Sequence, residues 1–400
     1  MMDRRTILQG LALAAQGSAA GAKDDDAYWT RVREEQFLLA PWRAYLNNGS
    51  LGVAPRPVVK AVTEYIERSA TLTEDEYPRW GYEPLDKHRE ALAEFAGCKK
   101  NELAIMHSAT EAMSTIAAGL DLKPGDEVLI TDQEHPSGKG CWYMRQARQE
   151  IKVREIKIPM PPPKPEALVD LVVSAIGPNT RVLSFSGILT TTGLVMPVRE
   201  ICEAAKRKGV ITVVDGAHML GQIPVRISDL GCDYFAASPH KWMFAPAGSG
   251  LLYVREENLD RLWPTIVTGN WDDKKLGAAR YMMVGTNNRA IVEGAVAGVQ
   301  FIRSLGPENI YRRLHELAKY VRGHASEIPY LQLLTPDDDR AYGGLVTFAF
   351  KGKDLTRFRQ ECRKRRIWIY GGELLRVATH IHTRRKDLDA LFATMRETLG

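Results

Sequence analysis

The chain has 400 residues, of which 44% are hydrophobic and 26% are charged, and its formal net charge is +5. This composition is typical of a globular protein, and the length indicates two domains, or one large and one small domain. The charge is spread along the chain without a dense basic block, so the sequence gives little support for nucleic-acid binding, and we expect none.

The N-terminus carries the pattern of an export signal. A twin-arginine pair at residues 4–5 precedes a short apolar run at 7–15 and the sequence "AGA" at 20–22. Such a run is too short to span a bilayer, and A-x-A is a cleavage pattern. We therefore predict a twin-arginine signal at residues 1–22, a periplasmic or exported mature protein, and no membrane contact after signal removal. The alternative is an N-terminal helix in a cytoplasmic protein.

The cysteines are isolated from one another and form no C-x-x-C pattern. They are Cys98, Cys141, Cys202, Cys232 and Cys362. An odd, scattered set argues against a disulfide framework and against a zinc or redox motif. We therefore expect no metal site, and we expect most of these cysteines to be small buried side chains.

Short apolar runs alternate with helical patterns between about residues 100 and 255. The predicted strands are 127–132, 181–186, 211–216, 234–238 and 250–254, and helices are predicted at 165–176 and 198–209. Alternating strands and helices indicate βαβ units and a mostly parallel sheet. Sheets of this type bind ligands at the carboxyl ends of their strands, which identifies the edge where chemistry is expected.

The C-terminal part of the chain has a different pattern. A long helix is predicted from about residue 290 to 304, and strand and helix patterns then alternate to Gly400. We predict an α/β fold with a large domain (residues 56–295), whose mostly parallel sheet is flanked by helices. A smaller α+β domain (296–400) follows, and residues 23–55 are expected to join it.

Two candidate groups lie at the edge of the predicted sheet. Asp215 ends an apolar strand, where a carboxylate is either an ordinary turn residue or the partner of a protonated heterocyclic nitrogen. Ser108, Ala109 and Thr110 open an amphipathic helix. Because the first turn has free N–H groups and a positive dipole end, they are either a plain N-cap or an anion site.

A histidine and a lysine complete the set. His135 follows a strand, so its flat ring is either structural or able to stack on a flat cofactor. Lys241 lies just past another strand in "SPHKW", between Ser238 and His240, and both neighbours can bond phosphate oxygens. Lysine is also the side chain that forms a Schiff base with a carbonyl cofactor.

Together these residues match the requirements of pyridoxal 5′-phosphate (PLP). They supply a ring-nitrogen partner in Asp215, a stacking ring in His135 and an amine in Lys241, and we predict that these three are catalytic. The expected phosphate ligands are Ser108, Ala109, Thr110, Ser238 and His240. A carboxylate beside the ring nitrogen keeps it protonated, so the ring can accept electrons from a substrate carbanion.

With these motifs the chain resembles the class V aminotransferases, the fold-type I PLP-dependent enzymes that include cysteine desulfurases and isopenicillin N epimerase. The resemblance runs from "YLNNGSLG" (45–52) to "LLRVATHIHT" (374–383). It implies that His218, in "DGAH", bonds the hydroxyl group of the cofactor ring. It also implies a homodimer with shared active sites, in which Thr286 of "VGTNN" reaches the phosphate in the partner subunit.

The resemblance also assigns the substrate side of the site and shows where this chain departs from the family. Arg376 would clamp the substrate carboxylate with its guanidinium fork, and Asn48 would line the pocket. Cysteine desulfurases carry a nucleophilic cysteine before this arginine, but "IWIYGGELLR" (367–376) has none. Thr190 stands where the family often has asparagine and would contact the cofactor, and His382 likewise replaces an asparagine.

These observations predict an enzyme that acts on the amino group or α-carbon of an amino acid or peptide-like metabolite. Lys241 would move the α-proton, and an epimerase-like or aminotransferase-like outcome is favoured over persulfide chemistry. Two alternatives remain open. One is a PLP-dependent lyase or tailoring enzyme of an exported, siderophore-like metabolite. The other is a non-catalytic descendant that only binds ligands.

Overall fold

The computed structural model describes residues 26–71 and 83–400, so the predicted signal at residues 1–22 lies outside the described residues. The helices in these ranges are α1 (Asp26–Gln36), α2 (Arg56–Ser69), α3 (Asp86–Ala96), α4 (Ala109–Gly119), α5 (Pro136–Gln149), α6 (Pro165–Ser174), α7 (Val198–Arg207), α8 (Pro239–Trp242), α9 (Ala290–Leu305), α10 (Pro307–Ser326), α11 (Thr356–Lys364) and α12 (Arg385–Leu399). The strands are β1 (Ala44–Tyr45), β2 (Leu103–Met106), β3 (Glu127–Thr131), β4 (Lys152–Ile156), β5 (Thr180–Ser186), β6 (Ile211–Asp215), β7 (Tyr234–Ala237), β8 (Gly250–Val254), β9 (Leu331–Leu333), β10 (Leu345–Phe350), β11 (Ile367–Trp368) and β12 (Leu374–Ala378).

A seven-stranded sheet in the order β2-β8-β7-β6-β5-β3-β4 forms the centre of the large domain. Only β8 runs against its two neighbours, so the predicted mostly parallel sheet is confirmed. The five predicted strands all form. The register pairs Ser186 with Asp215 and Asp215 with Ala236, which brings the carboxyl ends of β5, β6 and β7 to the same edge.

The central strands are apolar on both faces because helices cover both sides of the sheet. Successive residues alternate between two cores: Val182 and Val213 pack with α4 and α5, whereas Leu183 and Val214 pack with α3, α6 and α7. The predicted helices at 165–176 and 198–209 form as α6 and α7. The second ends before Gly209, whose φ of +70° a side chain would oppose.

The C-terminal region forms its own antiparallel sheet, in the order β12-β10-β9, and a third core lies between this sheet and helices α10 and α12. Strand β1 pairs with β11, so the segment before residue 55 contacts the C-terminal region. Strand β12 carries Arg376 opposite Thr347 of β10. The exact domain boundaries, at residues 55 and 295, remain predictions.

Within the described residues, no helix is both long and apolar enough to cross a bilayer, and no cluster of three metal-ligating side chains occurs. All five cysteines are free thiols. Cys362 is buried in the small-domain core on α11, where burial raises the pKa of its thiol to about 12. A thiol in such surroundings stays protonated and is a poor nucleophile.

Candidate active site

A cavity of about 780 Å³ opens at the carboxyl ends of the parallel strands, next to the segment that leads into β12. Its volume lies within the range of sites that hold a cofactor and a small substrate, roughly 300–1,000 Å³. Most of the residues predicted from the sequence line it together: Ser108, Ala109, Thr110, His135, Thr190, Asp215, His218, Ser238, His240, Lys241 and Arg376.

One end of the cavity is suited to an anion. Ser108 caps α4, and its Oγ accepts a hydrogen bond from Glu111 N at 3.1 Å. The first-turn N–H groups of Ala109 and Thr110 have no intrahelical acceptor, so they remain available to a phosphate. Gly250 permits this arrangement, since a Cβ there would lie 2.4 Å from Ser108 N.

Ser238 and His240 lie on the same cavity wall, immediately before Lys241. His240 Nδ1 is 3.1 Å from Ser249 O, and because a carbonyl only accepts, Nδ1 carries a proton and donates. Nε2 of the neutral ring is then an acceptor. His240 can therefore donate to a phosphate only as an imidazolium, a form that a bound dianion would favour.

The turn that carries Lys241 is held by three hydrogen bonds from distant parts of the chain. The successive carbonyls of residues 240–242 accept from Gly52 N at 2.8 Å, Asn48 Nδ2 at 2.7 Å and His380 Nε2 at 3.2 Å. Since α8 has a single turn, these carbonyls lie at its C-terminal end and need partners outside the helix. The three bonds fix the direction of the lysine side chain.

The amine of Lys241 lies in a mostly buried environment of mixed charge. The pKa of the Lys241 amine is lowered to about 8, mainly by burial, which Asp215 opposes and the nearby cation Arg376 reinforces. The Nζ atom is 3.1 Å from Nε2 of His218. A substantial fraction of the amine is therefore neutral near physiological pH, as a nucleophile or proton acceptor requires.

Asp215, predicted to pair with the cofactor nitrogen, is buried at the end of β6, where its Oδ1 accepts from Ala217 N at 3.0 Å. A second carboxyl group, which the sequence analysis missed, lies close to it. Glu134 accepts hydrogen bonds from the hydroxyls of Thr131 and Ser186. Burial, together with repulsion from Asp215, raises the pKa of Glu134 to about 7. Its only sequence signal was its position directly before His135.

Replacing Glu134 with glutamine should change how stability depends on pH. The pKa of Glu134 is higher in the folded state than in the unfolded chain, so the folded state binds more protons above about pH 4.5. As the pH rises from about 4.5 to about 7, the free energy of unfolding of the wild type should therefore fall relative to that of E134Q, by on the order of 3 kcal/mol. Urea denaturation of both PLP-free proteins measures the difference, and a difference that does not vary with pH would contradict the shift.

Arg376 is buried at the cavity wall, and its hydrogen-bond partners there are all neutral. Its guanidinium donates to Thr190 Oγ1 at 2.5 Å, Asn47 Oδ1 at 3.1 Å and Ser50 Oγ at 2.7 Å, and it stacks over Tyr370 at 4.3 Å. Among the described residues nothing pairs with its buried Nε. A buried cation with only neutral partners and a free N–H is suited to a carboxylate. Thr190 thus contacts Arg376 as well as the cavity.

Three predicted residues take positions that sequence alone did not specify. Asn48 is fully buried and does not line the cavity, because its amide bonds Lys241 O and its Oδ1 lies 3.2 Å from His382 Nε2. The structure shows a contact of Asn48 with the lysine turn, and its predicted contact with substrate stays a prediction. Thr286 is exposed and lies outside the cavity of its own chain. His135 forms part of the wall as the N-cap of α5.

The residues present fit PLP. A helix terminus with free N–H groups faces the phosphate end, Asp215 supplies a carboxylate for the ring nitrogen, and Lys241 supplies a reactive amine. The guanidinium of Arg376 lines the cavity with only neutral hydrogen-bond partners, which suits a substrate carboxylate. The α/β fold and this site together define a fold-type I enzyme whose cofactor is PLP.

Residues 44–398 match the family described as Aminotransferase class-V, and the chain belongs to that family. Two isopenicillin N epimerases are similar over nearly their whole length. That of Streptomyces clavuligerus is 31% identical over 386 residues, 91% of this chain and 97% of the relative. That of Amycolatopsis lactamdurans is 32% identical over 392 residues, 92% and 98% of the two chains.

Cysteine desulfurases and a C–S lyase are also similar. The cysteine desulfurase of Haloferax volcanii is 28% identical over 326 residues, 76% of this chain and 74% of the relative. The solved complex between the cystine C–S lyase C-DES and cysteine persulfide superposes with a TM-score of 0.80 at 25% identity, covering 90% of this chain and 98% of that one. A C-DES mutant with glycine covalently linked to PLP superposes with a TM-score of 0.79.

Proposed function

We propose that this protein is a PLP-dependent epimerase that inverts the α-carbon of an amino acid or of a peptide-like metabolite with a free α-amino group. The observation that carries the proposal is the pairing of two groups across one cavity. Lys241 offers an amine with a lowered pKa, and Arg376 offers a buried cation with a free donor. Removing the α-proton needs both groups, and inversion then requires a proton to be delivered to the opposite face of the α-carbon.

Bound PLP supplies an electron sink for the charge left when the α-proton departs. Arg376 binds the substrate carboxylate and fixes which groups point toward Lys241. The Lys241 amine accepts the proton at Nζ, a transfer that its pKa of about 8 makes accessible near neutral pH, and a solvent-derived proton delivered to the opposite face of the α-carbon completes the inversion. Asp215 would place its carboxyl group against the ring nitrogen, and His135 forms part of the cavity wall.

Persulfide chemistry is less well supported. The segment at 367–376 has no cysteine, and the nearest thiol in sequence, Cys362, is buried in the small-domain core. Both isopenicillin N epimerases align over at least 97% of their length, against 74% for the Haloferax desulfurase. These observations favour epimerisation over desulfuration.

A direct test incubates the PLP-loaded protein with single enantiomers of amino acids and of amino acid-capped peptides, followed by chiral chromatography. The proposal expects the opposite enantiomer to accumulate without ketone formation. Sulfide released from cysteine or cystine would instead support a C–S lyase, the second candidate, which the fold match to C-DES favours. Stoichiometric ketone formation in the presence of an amino acceptor would identify an aminotransferase.

We further propose a homodimer in which Thr286 completes the partner's phosphate site. Thr286 is exposed, and a nearby segment presents an exposed apolar patch: Trp263, Ile266, Val267 and Trp271. Monomers rarely leave such patches uncovered. Mixing two inactive variants, K241A and T286E, should restore activity, because one site of each hybrid dimer then has both wild-type residues. Equal inactivity of the mixture and of its parents would contradict shared sites.

Export remains a separate proposal, which rests on the sequence pattern at residues 1–22. A tagged full-length chain should appear in the periplasm, and replacing both arginines at positions 4–5 with lysine should retain it in the cytosol. A chain that stays cytosolic with both arginines intact would overturn the proposal. The substrate of an exported enzyme would be a metabolite that matures outside the cytoplasm.

A further inference from the structure

Trp242 follows Lys241 directly, and the sequence offered no role for it beyond packing. Its side chain is fully buried, and its position is fixed from several directions. Trp242 O accepts from His380 Nε2, and Gly221 packs so closely that a Cβ there would lie 2.4 Å from the same oxygen. Gly344 lies against the indole ring itself. The direction of the indole N–H is therefore set by the fold.

That N–H is donated to His218. Trp242 Nε1 lies 3.1 Å from His218 Nδ1. Because an indole nitrogen can only donate, Nδ1 must be unprotonated and accept the hydrogen bond with its lone pair. A histidine with a bare Nδ1 is neutral, and its proton is on Nε2. Burial likewise keeps the pKa of His218 well below its usual range.

The second nitrogen of His218 faces the lysine. His218 Nε2 lies 3.1 Å from Lys241 Nζ. If Nε2 carries the proton, it donates, so the amine must accept with its lone pair and is neutral. An ammonium group at the same place would bring two donors face to face. The chain Trp242–His218–Lys241 therefore has one consistent hydrogen-bonding pattern, and that pattern selects the reactive form of the lysine.

We propose that Trp242 is a positioning residue that fixes His218 as the Nε2–H tautomer and thereby favours the neutral form of the Lys241 amine. This inference deepens the proposed function, since it rests on Lys241 as the proton carrier. The charged and titratable groups around the amine are Asp215 from β6, Arg376 from β12, and the histidines at 135 and 240. Because all of these remain in a Trp242 variant, the effect of the indole N–H can be isolated.

Trp242→Phe removes the N–H while keeping an aromatic ring. Freed from its donor, Nδ1 can take the proton, and Nε2 can then accept from a lysine ammonium. The Lys241 pKa should rise by about one unit, a roughly tenfold loss of neutral amine at a fixed pH. The readout is the pH dependence of the rate at which PLP reacts covalently with the PLP-free full chain, followed by absorbance.

Two controls separate this effect from simple packing. Trp142→Phe removes another fully buried indole N–H, which is donated to Ser184 Oγ at 3.0 Å, and it should leave the Lys241 pKa unchanged. In a His218→Leu background the facing side chain has neither a donor nor an acceptor, so the indole N–H has no route to Lys241. There, Trp242→Phe should have no further effect on the Lys241 pKa.

Nitrogen-15 NMR of the histidine rings in the PLP-free wild-type chain gives a second, mutation-free readout. The proposal expects a protonated Nε2 and a bare Nδ1 at His218, and an altered pattern in Trp242→Phe. A proton on Nδ1 in the wild type, or an equal shift of the Lys241 pKa in both backgrounds, would overturn it. Both readouts are made on PLP-free protein without turnover, so a failure of this inference can be distinguished from a failure of the epimerase proposal.

Discussion

Replacing Lys241 with alanine should reduce α-proton exchange by about 10³-fold or more, because a single amine serves as nucleophile and as proton carrier. The other nitrogen bases in the cavity, those of His135, His218 and His240, all have pKa values lowered by burial. Exchange is measured by NMR on PLP-loaded protein, with PLP content determined separately so that loss of cofactor is not mistaken for loss of catalysis.

The matched control is Lys139→Ala, which removes a lysine of α5 that pairs with Glu155 at 3.3 Å outside the cavity. This variant should keep wild-type exchange. Small primary amines added to K241A should restore part of the rate, since they replace the missing base rather than a packing contact. An alanine variant that retains more than about a tenth of the wild-type rate would remove Lys241 from the mechanism.

Replacing Arg376 with lysine should lower kcat/KM by roughly 100-fold for substrates that carry an α-carboxylate. Lysine keeps the charge but cannot reproduce the planar fork that holds Thr190 and Asn47 while leaving Nε free. The loss should largely vanish with α-carboxamide analogues, which have no anion for the guanidinium to bind. Steady-state kinetics on the acid and amide series measure this difference.

Arg322→Lys provides the control for this experiment. Arg322 is also mostly buried, but it donates to the carbonyls of Thr335 and Pro336 in the small domain and does not line the cavity. The R322K variant should therefore be less stable than the wild type, and any change in its kcat/KM should be the same for acid and amide substrates. Equal losses for both substrate series in R376K would mean that the arginine acts through structure rather than through the carboxylate.

The sheet and the residues at its edge could be predicted because their signals are local. Short apolar runs specify β5, β6 and β7, and parallel strands with a common edge bring Asp215 and Lys241 together. The resemblance to the class V family added Arg376, which lies 161 residues beyond Asp215 in a second sheet. No local pattern would have placed it beside Thr190.

The supports of the site could not be predicted, because they are contacts between segments far apart in the chain. Asn48 reaches Lys241 O across 193 residues and meets His382 across 334. From the sequence, the Asn48 side chain could face either the cavity or the lysine turn. The direction it takes depends on how the chain before it, strand β1, pairs with β11. Glu134 was missed for a similar reason, since its importance comes from burial beside Asp215.

Trp242 illustrates the same limit in a different way. Its identity was evident from the sequence, but its role depends on the direction of one N–H bond relative to a histidine 24 residues away. A tautomer follows from a complete set of donors and acceptors, which only the folded structure supplies. The tautomer proposed for His218 therefore could not be predicted from the sequence, although the residue itself could be located there.

The most direct test of the proposed chemistry is solvent labelling of the α-carbon. A single enantiomer of a substrate is incubated with the PLP-loaded protein in deuterated water, and product chirality and deuterium content are measured together. Epimerisation through Lys241 predicts deuterium at the α-carbon of the inverted enantiomer, with no ketone formed and no label when K241A replaces the wild type. Inversion without deuterium uptake, or consumption of substrate with release of a side-chain fragment, would contradict the epimerase proposal.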